Sequence, residues 1–268
     1  MKKRRSYRVV PFTMNRRMVA ASASVGRERN NIHAMIEVDV TEPRRLMREH
    51  RERTGERLSL TAFVVTCLAR AIAENPNLNS FRKGRKLILL DDVTVSVLVE
   101  REIAGEKVPE PFGIRAAQTK TYRRIHDEIR ATQRHGEDGL GGLSGISWVR
   151  FIPGFLLRAF VRVASRNIHM MDRFGAVGVT AVGMFGGNEA LWLIPLSGAT
   201  VAVTVGGIVE RPSASGGRIE TREHLCLTVT FDHDIVDGVP AARFLKRFSE
   251  LLMISEPLGD TIVTAAVE

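Results

Sequence analysis

Residues 227–245 constrain this chain most. A run rich in β-branched residues reads as a strand. It breaks at Asp232-His233-Asp234-Ile235-Val236-Asp237-Gly238, and an amphipathic pattern over 240–253 then reads as a helix. A histidine at such a junction can be held rigidly with its ring toward a cleft, and imidazoles titrate near neutrality, which suits proton transfer. A lone histidine near a strand end is more often structural, so the junction alone does not assign chemistry. Asp237 is expected to fix the turn or pair with an arginine. Gly238 is expected to take a backbone geometry that a side chain would block.

The rest of the chain interleaves helical and extended patterns. Residues 1–31 read as a basic, irregular arm with a short helix over 15–24. Strict alternation over 32–40 gives a half-buried strand, and Thr41 reads as the N-cap of a charged helix over 42–53. Ser59 opens an apolar helix over 60–74, stopped at Asn75-Pro76. Residues 77–85 read as a loop, 87–90 and 93–100 as strands, 119–134 as a polar helix, 135–147 as a glycine-rich loop and 151–168 as an arginine-studded helix. Three β-rich runs follow over 176–182, 199–208 and 224–231, with a turn-rich hairpin connection over 210–221. Neighbouring late strands look antiparallel, so a single α+β domain is expected rather than a doubly wound parallel sheet.

Composition narrows the options. No stretch approaches the roughly 20 apolar residues of a membrane span, and no apolar signal core follows the basic start. A cytoplasmic protein with no membrane partner is therefore expected. Cys67 and Cys226 lie in apolar runs and read as buried thiols in a reducing compartment, with no metal site. A net charge of +9 permits acidic or phosphate-bearing partners. Aromatics are 6% of the chain and no nucleic-acid motif is present, so a nucleic-acid partner is not expected.

Longer motifs add a family. Asp232-His233, Asp237-Gly238 and Ala241-Ala242-Arg243-Phe244-Leu245 together resemble the signature of the 2-oxoacid dehydrogenase (dihydrolipoyl) acyltransferase catalytic domain, and the His-x-x-x-Asp-Gly core resembles that of chloramphenicol acetyltransferase. Collinear segments agree. Pro11-Phe12-Thr13-Met14-Asn15-Arg16-Arg17-Met18 is similar to the family's arm, and Ile36-Glu37-Val38-Asp39-Val40-Thr41 to its first strand. The turn Asn75-Pro76-Asn77-Leu78-Asn79, Asp91-Asp92-Val93 and the run from Gly178 to Gly186 follow in the family's order.

The resemblance implies a chloramphenicol acetyltransferase-like mixed sheet packed with helices, with the catalytic domain over 32–268. It implies an acyltransferase working on thioesters of coenzyme A or a dihydrolipoyl group, with His233 as general base. Thr180, where the family has serine, would donate to the oxyanion across a subunit boundary of a homotrimer, or of an assembly built from trimers. Asp237 would support the site, paired with Arg16 or Arg17.

Four departures stand out. Asp234 replaces the family's usual arginine, and Ala181 an asparagine beside the oxyanion donor. Residues 102–118 differ from the family's channel-lining stretch, and no lipoylation turn precedes the catalytic part in this sequence. The expected partners are therefore acyl-coenzyme A or a lipoylated second chain. A non-catalytic trimeric scaffold that keeps the fold is the alternative.

Overall fold

The computed structural model describes residues 7–103, 106–134, 152–183, 189–215 and 217–263. The glycine-rich stretch 135–147 lies outside them.

Thr13 starts α1 (Met14–Gly26), its hydroxyl accepting from the Arg16 N–H. The helix is longer than the 15–24 expected. After β1 (Asn31–Asp39) comes α2 (Thr41–Thr54), in which Thr41 is the first helical residue and not the cap. Its hydroxyl donates to Asp39 at 2.6 Å and accepts from the Glu223 N–H at 2.9 Å, so it ties the helix to a distant strand. Ser59 does cap α3 (Leu60–Ala73), accepting from Ala62 N–H at 3.2 Å. α3 is apolar nearly all round and lies buried, as such a helix must.

The loop expected over 77–85 contains a hairpin strand. β2 (Ser80–Lys83) and β3 (Lys86–Leu89) turn through Gly84, whose φ of 62° suits glycine. β4 (Val95–Ile103) then pairs with β5 (Glu106–Ile114). Pro109 and Pro111 disguise β5 in the sequence. They are tolerated because β5 is an edge strand, where a missing N–H breaks no second ladder. α4 (Tyr122–Arg134) follows. The single helix expected over 151–168 is two, α5 (Gly154–Ala164) and α6 (Ile168–Phe174), the second capped by Asn167.

The closing section is β6 (Val177–Ala181), β7 (Val201–Ser215), β8 (Arg218–Asp232), α7 (Gly238–Met253) and a short α8 (Gly259–Val263). β7 and β8 pair from Val201↔Phe231 to Ser215↔Arg218, through the stretch expected to be turn-rich. The main sheet runs β1-β8-β7-β6-β4-β5. Its two β6 pairings are parallel and the rest antiparallel, so the α+β mixed sheet is borne out.

One sheet face packs under α3 and α7, where Val97, Val179, Val203, Leu227, Val229 and Phe231 are buried. Phe244 of α7 meets Phe231 edge-on at 5.8 Å and stacks on Phe248. Cys67 and Cys226 are buried free thiols, as expected, and burial pushes Cys67 up. Where β7 bulges between Val205 and Ile208, a strap over 189–199 crosses it. Gly207 N–H donates to Leu191 O, and a Cβ on Gly206 would sit 1.8 Å from that carbonyl. A Cβ on Gly183, just past β6, would sit 1.7 Å from Gly206 O.

A separate polar cluster joins the α2–α3 link to α4. Glu56 accepts from Arg123 at 2.8 Å and lies 3.1 Å from His50 Nε2, with His126 Nε2 at 3.8 Å. The Arg123 hydrogen bond holds the Glu56 carboxyl down to about 2. Burial, then the Arg130 charge, lowers His126 below the usual histidine range. Its Nδ1 accepts the Ser59 N–H at 3.2 Å, which requires a free lone pair there and hence a neutral ring.

Candidate active site

β8 delivers its last residue, Asp232, into the interior. The carboxylate is 1% exposed; Oδ2 accepts from Arg29 at 2.8 Å and Oδ1 from the Asp234 N–H at 3.2 Å. The Asp232 carbonyl takes the N–H groups of Ile235 and Val236, both at 3.0 Å. Asn30, next to Arg29, accepts the His233 N–H at 2.7 Å and donates through its amide to Asp234 Oδ1 at 2.9 Å. Arg82 of β2 closes the other side, donating to Asp234 Oδ2 at 2.7 Å. The turn is therefore clamped by three residues, two from the α1–β1 link and one from β2, while the His233 side chain stays 45% exposed. Clamped backbone and open ring are what a proton-transfer group requires.

The fold does not bring all the expected site residues together. His233 Nδ1 lies 3.8 Å from Asp237 Oδ1, beyond hydrogen-bond range, and Asp237 is 86% exposed. Asp237 is the N-cap residue of α7, but its side chain makes no cap hydrogen bond; only its carbonyl is used, by Ala241 N–H. Arg17, expected beside Asp237, donates instead to the Ile152 carbonyl. Gly238 begins α7 with nothing near where a Cβ would stand, so no blocked geometry explains it.

Thr180 lies two strands away, on the sheet face opposite the helices. It is in register with Thr204 and, through it, with Thr228. Two strand spacings of ~4.8 Å and five residues at ~3.3 Å place His233 roughly 19 Å from Thr180 within one chain. The hydroxyls of Thr204 and Thr228 are buried without a hydrogen-bond partner, and Thr230 meets His33 Nδ1 at 2.9 Å. This hydroxyl row behind Thr180 is not visible in the sequence. Its members look like ordinary β-branched strand residues until register aligns them.

Sequence reasoning also misses Arg29, Asn30 and Arg82. They reach the turn over separations of 203, 204 and 152 residues, which no local pattern reveals. Arg82, Gly84, Arg85, Lys86 and Leu87 line an open depression of about 480 Å³ together with Asp234 and Ile235, the two residues that follow His233 in the sequence. Among the described residues no group of three or more His, Cys, Asp or Glu is placed to hold a metal.

An α+β domain with an open imidazole on a clamped strand-to-helix turn is the class this geometry defines. The sequence model of the 2-oxoacid dehydrogenases acyltransferase (catalytic domain) matches residues 4–144 and 163–258. The chain belongs to that family, as the motifs around His233 suggested. It is 27% identical over 251 residues to the lipoamide acyltransferase component of the branched-chain alpha-keto acid dehydrogenase complex of Bacillus subtilis (strain 168), covering 91% of this chain and 51% of that protein. The chain thus spans about half the length of the curated relatives it matches. A probable dihydrolipoamide acetyltransferase from Listeria monocytogenes 4b F2365 has the same fold, with a TM-score of 0.68 at 23% identity, covering 92% of this chain and 94% of that one. A dihydrolipoamide acetyltransferase of Azotobacter vinelandii gives 0.70 at 19% identity, covering 98% and 96%.

Proposed function

We propose that this chain moves an acyl group between thioesters, with His233 as general base. Its imidazole takes the proton from the thiol of coenzyme A or of a dihydrolipoyl group carried by another chain. A thiol titrates near roughly 8.5 and is mostly protonated at neutral pH, so a neighbouring base raises the nucleophilic thiolate. The thiolate attacks the thioester carbonyl carbon. The oxyanion that forms accepts a hydrogen bond from the Thr180 hydroxyl. Collapse breaks the original C–S bond, and the imidazolium returns its proton to the departing thiolate.

The observation that carries this reading is the open His233 ring on a clamped turn. The roughly 19 Å to Thr180 in the same chain requires the hydroxyl to come from a neighbouring copy. We therefore place the reaction at a subunit boundary of a homotrimer or a multiple of it, with residues 1–31 as an arm and 32–268 as the catalytic domain. Asp237 lies 3.8 Å from the imidazole, too far to hydrogen-bond to it. The Azotobacter vinelandii relative was studied for the roles of a serine, a histidine and an asparagine in its catalytic mechanism, the last two four positions apart, as are His233 and Asp237. The basic depression with Arg85 and Lys86 suits the phosphate end of coenzyme A.

The test is thiol release from acyl-coenzyme A by His233→Ala. Loss of about a hundredfold to ten-thousandfold in turnover is expected, with melting temperature and oligomer mass unchanged. Turnover equal to wild type would remove His233 from the chemistry.

A further inference from the structure

The β2–β3 hairpin stands apart from the main sheet. It is a two-stranded sheet of its own, with four residues in each strand. A ribbon that short is marginal unless the body of the protein holds it. Its base is held. Ser80 and Phe81 are buried, Phe81 packs with Met171 and Ala176, and the Ser80 carbonyl accepts the Thr200 hydroxyl. The Asn79 carbonyl accepts the Leu90 N–H at 2.8 Å, and the Asn79 amide donates to the Leu90 carbonyl at 2.7 Å.

The tip has much less support. From Arg82 to Lys86 every residue is exposed, and four of the five are cationic. Among the described residues, a single ion pair ties this tip to the body: Arg82 donates to Asp234 Oδ2 at 2.7 Å. Lys83, Arg85 and Lys86 meet no carboxylate among those residues. Asp234 is itself fixed, because Asn30 donates to its Oδ1 at 2.9 Å and its own N–H donates to Asp232. The tip therefore hangs from the residue that follows His233. Where the family usually has arginine, this chain has an aspartate, with an arginine facing it from the hairpin.

We propose that the Arg82–Asp234 pair is a latch that pre-positions Arg85 and Lys86 for the phosphate end of coenzyme A, with Asp234 and Arg82 as positioning residues. This rests on the reading of the depression as the seat of those phosphates. Asp234 could act on an anionic ligand in two ways of opposite sign. As a bare charge in the depression it repels phosphate, and its removal tightens binding. As a latch it removes the cost of ordering the tip at each binding event, and its removal weakens binding. The geometry favours the latch. Both oxygens of Asp234 are already taken, by Asn30 and Arg82, while the tip has no second ion pair among the described residues.

The experiment is calorimetric titration of the full chain with coenzyme A. Asp234→Asn and Arg82→Gln change the local charge in opposite directions, yet each is expected to weaken Kd about fivefold, the upper end of what a surface ion pair supplies. Because both break one contact, the double variant is expected to bind no worse than either single. The exchange of Arg82→Asp with Asp234→Arg rebuilds the pair, and Asn30 can turn its amide oxygen toward the new guanidinium. It is expected to restore Kd to within about twofold of wild type. Tighter or unchanged binding by Asp234→Asn overturns the latch, as does a loss in the single variants that the exchange leaves unrepaired. Arg85→Glu with Lys86→Glu tests the underlying reading. If that variant binds like wild type, or if wild type binds no coenzyme A, the phosphate seat and the latch both fall. If it binds weakly while Asp234→Asn does not, only the latch falls.

Discussion

Arg29 donates to the carboxylate of Asp232 at 2.8 Å, and the two side chains are only 14% and 1% exposed. Removing one partner of such a pair strands a buried charge, which typically costs about 3–5 kcal/mol. Arg29→Ala is therefore expected to lower the urea-unfolding free energy by about 3 kcal/mol. Turnover at temperatures well below the melt should fall too, because the turn bearing His233 loses a clamp. An unfolding midpoint equal to wild type would show that water relieves the carboxylate.

If His233 and Thr180 act from different copies, two inactive variants should rescue each other. His233→Ala and Thr180→Val are unfolded together, refolded as mixed oligomers and assayed. Random mixing leaves about a quarter of the subunit boundaries with both groups intact, so about a quarter of wild-type turnover is expected. No gain over either parent would place both groups in one chain's site or remove one of them from the reaction.

Acid should destabilise the fold in two stages. His126 is lowered by burial and by Arg130, so the native state binds fewer protons than the unfolded chain as pH falls below the ordinary value of 6.5. Stability is full above that value and declines beneath it. Glu56, held to about 2 chiefly by Arg123, adds stability that is present above 4.5 and lost as pH falls toward about 2. Urea midpoints measured against pH should show both stages. His126→Gln should flatten the upper one and leave the lower.

The charge on the β2–β3 turn gives a kinetic prediction. Arg85→Glu combined with Lys86→Glu should raise KM for acyl-coenzyme A about tenfold, the loss expected for about 1.4 kcal/mol of phosphate attraction. KM for an acyl-pantetheine, which lacks the nucleotide phosphates, should hardly move. Parallel changes for both substrates would locate the phosphates elsewhere.

Much of the fold is legible in the sequence because burial writes itself into periodicity. Alternation marks β1, and Ser59 with Asn75-Pro76 brackets α3 almost to the residue. Legibility fails where tertiary partners override local rules. Pro109 and Pro111 hide β5, which tolerates them only because it is an edge. Thr41 has the chemistry of a cap but spends its hydroxyl on Asp39 and Glu223. At the site, His233 stands out because a turn motif surrounds it. Asp234 reads in sequence as a stray negative charge beside the base, yet Arg82 and Asn30 hold both its oxygens. Asp237, expected to find an arginine, faces His233 and solvent instead.

Main chain lies directly on main chain where Gly183, Gly206 and Gly207 meet the carbonyls of Gly206, Leu191 and Glu189. Thr180 sits three residues upstream of that crossing, so its height above the sheet is gauged by peptide planes rather than by interlocking side chains. Core substitutions elsewhere can shuffle methyl groups without moving it, whereas a single added methyl at Gly206 or Gly207 would lift the strap off its seat and one at Gly183 would drive the end of β6 off β7. The oxyanion end of the proposed site is thus insulated from drift in the core, at positions with no latitude of their own.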